Sequence, residues 1–316
     1  MYFPYLRGRQ FELIALRELI ENELISEFIV PVIEPIKPSS TLVKTINKYV
    51  LRKQPIAVIH NPQVGNFLGE LNKTSQLRNE LEQIYDHEDV IFAHIMNGKS
   101  KEQLMYHLPE GKSDNLLIIN RKKDYINLYQ EIFPENKPRY SLVPGDLSYR
   151  RNIRVNPVLL EDRFREHKLR RNADYLEKPE SIFSEDHLYY KDESYVGFSD
   201  YSVVGEEFQE KGFAPYAVAI HIVYFDEEKV LRIKHFTSVS NEDFSDPAGK
   251  FGEALEKLFR WYDSMTNIDT YAMREFKRHY NNGTYPGLGT VKKLSIMHHI
   301  ELVSTYLDKE NRNDLL

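Results

Sequence analysis

Short apolar runs that each stop at a polar residue recur along the first half of the chain. They occupy residues 28–34 (FIVPVIE), 56–61 (IAVIHN), 90–97 (VIFAHIMN), 116–121 (LLIINR) and 140–146 (YSLVPGD). Their starts lie about 25–35 residues apart, the length of a strand–helix unit. Between them the apolar residues return at helical spacing, as in Leu13, Leu16, Ile20 and Leu24, or Leu42, Val43, Ile46, Tyr49 and Val50. Capping residues fit the same division. Ser39 or Ser40 opens the second helix, Ser100-Lys101-Glu102-Gln103 has the form of a capping box, and Asp124 can cap a later helix. With an opening strand at residues 2–6, the alternation predicts an α/β fold. Right-handed crossovers make neighbouring strands parallel.

The second half is less regular. Residues 195–201 (YVGFSDY) read as a strand, and residues 217–225 and 230–237 alternate with only Asp226-Glu227-Glu228 between them, which predicts an antiparallel hairpin. Asp246-Pro247 has the form of an N-cap followed by proline at the first helical position. Asn281-Asn282-Gly283 separates the two last helices. The expected architecture is a (β/α)8 TIM-barrel-like α/β fold with an irregular second half carrying a hairpin and C-terminal helices. An open doubly wound sheet is the alternative. At 316 residues the chain exceeds the roughly 250 that such a barrel needs. No low-complexity linker interrupts it, so a single domain is expected over 1–316, with regular units in 1–148 and the irregular half in 149–316.

Composition narrows the function classes. A net charge of −6 argues against wholesale electrostatic binding to nucleic acid or an anionic membrane. The absence of cysteine removes disulfides, thiolate metal sites and a cysteine nucleophile, and fits the cytoplasm. No run approaches the ~18 apolar residues of a membrane span. The first ten residues, MYFPYLRGRQ, lack the apolar stretch of a signal peptide.

In a parallel barrel the carboxyl ends of the strands share one mouth, so polar groups distant in sequence converge there. Glu34, His60, His94 and Asp200 are the candidate catalytic groups. Glu34 could serve as base with an imidazole as acid. Alternatively Glu34, His60 and His94 could hold a divalent metal, their nitrogen and oxygen donors suiting zinc, manganese or iron. Arg7 and Arg9 can make bidentate bonds to a phosphate or carboxylate. Lys37, Asn61, Asn120, Arg121, Asp146 and Tyr201 complete the candidate ligand-binding set. The competing reading is structural: strand ends meet water, and polar residues belong there in any barrel. Gly8, Gly145 and Gly197 would permit close approach of a ligand, although isolated glycines more often serve turns.

Residues 149–174 are rich in arginine. Arg163, Arg165, Lys168, Arg170 and Arg171 could meet a nucleic-acid backbone, but Glu161, Asp162 and Glu166 interrupt the run. A solvated face or a surface for an acidic protein partner is the preferred reading. His298-His299-Ile300-Glu301 lacks the spacing of a metalloprotease helix, and His221 and His235 are expected to face each other across the hairpin.

The segments Tyr5-Leu6-Arg7-Gly8-Arg9-Gln10-Phe11-Glu12-Leu13 and Pro31-Val32-Ile33-Glu34-Pro35 resemble the beta-protein family of phages and bacteria. Gly197-Phe198-Ser199-Asp200-Tyr201 and Ala219-Ile220-His221 are similar to landmarks of that family's second half. The resemblance is to a bacterial branch often encoded beside a small nuclease-like partner in defence or mobile-element neighbourhoods. It implies a barrel-like fold and a nuclease-like protein partner, and brings no assigned reaction. The expectation is therefore a ligand-binding or partner-docking barrel in a two-protein system. The alternatives are a metal-dependent or acid/base hydrolase of a phosphate-bearing substrate, and a nucleic-acid binder using residues 150–171.

Overall fold

Each of the five apolar runs contains a strand in the computed structural model, which describes residues 1–107, 115–135, 137–165, 167, 172–210, 216–265 and 268–313. The strands are β1 (Tyr5–Leu6), β2 (Val32–Ile33), β3 (Ile56–Ile59), β4 (Val90–Ile95), β5 (Leu116–Ile119) and β6 (Tyr140–Val143), followed by β7 (Pro157–Glu161), β8 (Glu180–Ser184) and β9 (Gly197–Asp200). All except β8 form one parallel sheet in the order β1-β2-β3-β4-β5-β6-β7-β9. Tyr2 bridges to Ile29 on one side and to Phe198 on the other, bringing the sheet nearly to closure as a barrel. The seam is held by Phe3 N–H donating to Phe198 O at 2.8 Å and Phe198 N–H to Met1 O at 3.0 Å. Gly197 permits this approach: a Cβ there would lie 2.7 Å from Met1 O and 2.8 Å from the Phe3 ring.

Helices α1 (Gln10–Glu21), α2 (Ser40–Leu51), α3 (Phe67–Leu71), α4 (Ser75–Tyr85), α5 (Ser100–His107), α6 (Ile126–Ile132), α7 (Leu147–Asn152) and α8 (Asp186–Tyr189) punctuate the strands. The spacing in α2 works as read. Ser39 accepts from Leu42 N–H, and Leu42, Val43, Ile46 and Tyr49 are buried. Burying such a side chain contributes roughly 1.5–3 kcal/mol. Two expected caps differ. Ser100 starts α5 but its hydroxyl accepts from Asn97 N–H at 2.8 Å, and Asn97 Oδ1 receives Lys99 N–H at 2.8 Å. Helix α6 starts only at Ile126, after a 3-10 turn over Lys123–Tyr125, with no side-chain cap. Strand β7 was hidden by its surroundings: three apolar residues lie between arginines, so charge masks the period.

The chain forms two compact units. The first, Met1–Leu13, Glu27–Glu161 and Asp186–Asp200, contains the barrel; the second is Ile14–Ser26, Asp162–Glu185 and Tyr201–Leu316. The second unit holds an antiparallel sheet ordered β10 (Ala219–Phe225), β11 (Leu231–Thr237), β8. The expected hairpin is present, with His221 opposite His235. Helices α9 (Pro247–Tyr262), α10 (Tyr271–Asn282) and α11 (Leu288–Asn313) follow. Asp246 caps α9 by accepting from Gly249 N–H at 2.9 Å, and Gly283, with φ of 60°, ends α10.

Candidate functional site

Strand parity divides the polar strand ends between two faces. Residues paired across a parallel ladder share a face. Val58 pairs with Phe92 and Ile118 with Ser141. His60, of the same parity as Val58, stacks on Phe92 at 3.8 Å between centroids and meets Tyr85 of α4 at 4.4 Å. Ser141 hydrogen-bonds Tyr129 of α6 at 2.8 Å. This parity faces the helices. The other parity lines the barrel, where Phe3 meets Tyr140 at 4.8 Å.

On the inner face, Arg7 and Glu34 form a buried ion pair, with Arg7 Nη1 donating to Glu34 Oε2. Tyr5 Oη donates to the same oxygen at 2.6 Å, and Gln63 N–H to Glu34 Oε1 at 2.7 Å. Glu34 is fully buried and Arg7 5% exposed. The Arg7 guanidinium also lies 5.3 Å from the Tyr5 ring centre, and Glu12 accepts from Arg7 N–H at 2.8 Å. Three donors therefore engage the two oxygens of Glu34. Asn61 is held by β4, donating to Ile95 O and accepting from Ile95 N–H, both at 2.8 Å.

The outer parity carries His60, His94, Asn120 and Asp200. His94 is buried, with Nε2 2.8 Å from Ser100 Oγ. Asp200 accepts from Tyr2 Oη at 2.8 Å, and burial together with this carboxylate raises the Tyr2 phenol well above its ordinary value. Asn120 stands apart. It is fully buried and its main-chain N–H donates to Leu142 O, yet among the described residues neither Oδ1 nor Nδ2 has a hydrogen-bond partner.

Glu34 is thus engaged inside the barrel, while His60, His94 and Asp200 share the other parity, and His94 Nε2 lies 3.4 Å from Asn61 Nδ2. The set Glu34, His60 and His94 is not assembled. Among the described residues, no three His, Cys, Asp or Glu side chains are placed to hold a metal ion. Asp146 caps α7 through Ser148 N–H and pairs with Lys123 at 2.8 Å, which together hold its carboxyl down at about 2. Lys37 is exposed, while Arg9 and Arg121 are half-buried. Tyr201 is buried in the second unit, where its carbonyl accepts from Val204 and Gly205 N–H. Gly197, read as a ligand approach, admits the chain's own Phe3.

Of the basic stretch, Arg163 is half-buried and Arg165 exposed, in a turn of the second unit. Lys168, Arg170 and Arg171 lie outside the described residues. In the same unit His221 and His235 meet through their Nδ1 atoms at 2.7 Å. Burial, then Lys292, pushes His221 down to about 4, and burial, then the facing His221, pushes His235 down to about 2. His298 is bonded to Thr270 and Val223 O, and Glu301 accepts twice from Tyr271 N–H at the start of α10. Burial raises Glu301 to about 7.

The groups that satisfy the candidates include Tyr2, Tyr5 and Gln63, which were not expected at the site, and Ser100, expected only as a helix cap. Tyr5 and Glu34 share a parity across paired strands, a signal present once the register is known. The sequence reading passed over the run Gly98-Lys99-Ser100 between β4 and α5, which has the residue types of a phosphate loop. Here Ser100 Oγ is engaged by His94 and Asn97, and Lys99 N–H by Asn97. Among the described residues, no helix is long and apolar enough to cross a membrane. Compared with family models, curated proteins and solved structures, the chain matches none.

Proposed function

We propose that this protein is a ligand-binding barrel that acts with a protein partner. Its setting is the cytoplasm, in a two-protein defence or mobile-element system. The observation that carries the binding reading is Asn120, a fully buried carboxamide at the end of β5 on the side that faces the helices. A buried carboxamide without partners costs about 1–3 kcal/mol in desolvation. Its adjacent donor and acceptor suit a ligand with an amide-like edge. The hydrolase reading has less support, because Glu34, His94 and Asp200 are each engaged by neighbouring side chains. The nuclease-like partner follows from the resemblance to the beta-protein family, and the turn bearing Arg163 and Arg165 is the surface assigned to it.

The test is a thermal-shift screen of small polar molecules (nucleosides, sugars, amides and phosphate esters) run in parallel on the wild type and Asn120→Leu. Ligands that stabilise the wild type and fail on the variant are the expected result. Loss of the reading would follow from an empty screen, or from hits that Asn120→Leu retains. Turnover of a phosphate ester that disappears in both Glu34→Gln and Asp200→Asn would put the hydrolase in its place.

A further inference from the structure

An open cavity of about 470 Å³ lies in the second unit, between α9 and the end of α10. That is within the range of roughly 300–1,000 Å³ usual for small-molecule pockets. Its floor is one stripe of α9 through Ala248, Gly249 and Gly252, and Tyr280 and Tyr285 stand at its wall.

The two floor glycines have different causes. Gly249 is explained by capping, since a Cβ there would lie 2.2 Å from the Asp246 carboxylate. Gly252 has no such cause. A Cβ at that position would meet nothing within 4 Å, and the residue sits inside a 16-residue helix. Glycine is among the poorest residues for a helix interior. What the missing side chain does at Gly252 is keep the cavity open and present flat helix backbone to it.

The polar groups define the occupant. Among the described lining residues there is one carboxylate, Glu256, and no lysine or arginine. Glu256 is exposed and pairs with Arg260 at 2.6 Å. His279 Nδ1 bonds Thr284 Oγ1 at 2.8 Å, and burial followed by Arg278 lowers the imidazole below its ordinary value, keeping it neutral near pH 7. Its Nε2 makes no hydrogen bond among the described residues. A flat floor, tyrosine walls, a neutral imidazole and an acid favour a planar ring and disfavour an anion.

We infer that the cavity between α9 and α10 binds a planar heteroaromatic molecule of nucleobase or indole size, uncharged or cationic and without a phosphate. The site is independent of Asn120 and of the barrel reading.

Adenosine, tryptamine and AMP are the probes, used with the full chain in isothermal titration and saturation-transfer NMR. Saturable binding of adenosine or tryptamine is expected, with AMP at least tenfold weaker. Gly252→Leu fills the floor and should weaken the bound probe at least tenfold, whereas Gly252→Ala should keep most of the affinity. Circular dichroism and thermal melts verify that both variants fold. No saturable binding of either uncharged-or-cationic probe, equal binding to folded Gly252→Leu, or AMP binding more tightly than adenosine would each overturn the inference.

Discussion

Arg7 and Glu34 neutralise each other inside the barrel, 27 positions apart in the chain and each directly after one of two paired strands. Breaking such a pair from one side leaves a charge with no compensation, which typically costs 3–5 kcal/mol. Arg7→Leu is expected to destabilise the fold by about that amount in urea denaturation. Arg7→Leu combined with Glu34→Leu should cost much less than the sum of the single changes. Additive losses would show that the two side chains do not depend on one another.

Asn120 predicts the opposite sign. Asn120→Leu has similar volume and removes two unsatisfied polar atoms from a fully buried site. It should stabilise the ligand-free protein by about 1–3 kcal/mol in the same denaturation experiment. A loss of stability would mean that the carboxamide supports the barrel itself.

The second unit contains groups whose pH effects oppose each other. His221 and His298 are pushed down from 6.5 to about 4, and His235 to about 2, chiefly by burial. Their contribution is present above pH 6.5 and is lost as the pH falls toward 4, because the unfolded chain takes up protons first. Glu301 is raised from 4.5 to about 7 by burial. Its contribution is present below 4.5 and is lost as the pH rises through 7. Between 4.5 and 6.5 the slopes partly cancel. Glu301→Gln should therefore make stability rise more steeply with pH across that window. Denaturation at pH 4.5, 5.5, 6.5 and 7.5 measures it, and an unchanged slope would contradict the assignment.

Gly8 has a φ of +63°, and a Cβ there would lie 3.1 Å from Pro35 Cα and 3.2 Å from Glu34 O. Gly8→Ala meets both a strained backbone and a crowded site. It should cost more than about 1 kcal/mol and lower the melting temperature.

The barrel was legible in the sequence because it is built from local signals. Apolar strands such as Ile56–Ile59 and Leu116–Ile119 and the stripe of α2 need only their neighbours to declare themselves. The site was less legible because strand parity depends on register. His60 and Asn61 both end β3, yet one stacks on Phe92 toward the helices and the other bonds the edge of β4. Nothing in the sequence around His94 announces that Ser100 engages it. Strand β8 escaped because Glu180 and Ser181 open a strand that completes the second unit's sheet, not the barrel.

The seam at Tyr2 has a consequence for how the chain acquires its structure. Tyr2 and Asp200, 198 positions apart, are joined across it, and β9 follows a segment, Asp162–Glu185, that belongs to the other unit. A chain emerging from the ribosome can pair its first seven barrel strands in order. The closing contact must wait until that excursion has been synthesised and the chain has returned. Contacts of such long sequence separation slow folding. The open seven-stranded sheet, with unsatisfied edges at β1 and β7, is the species most exposed to misassociation during synthesis.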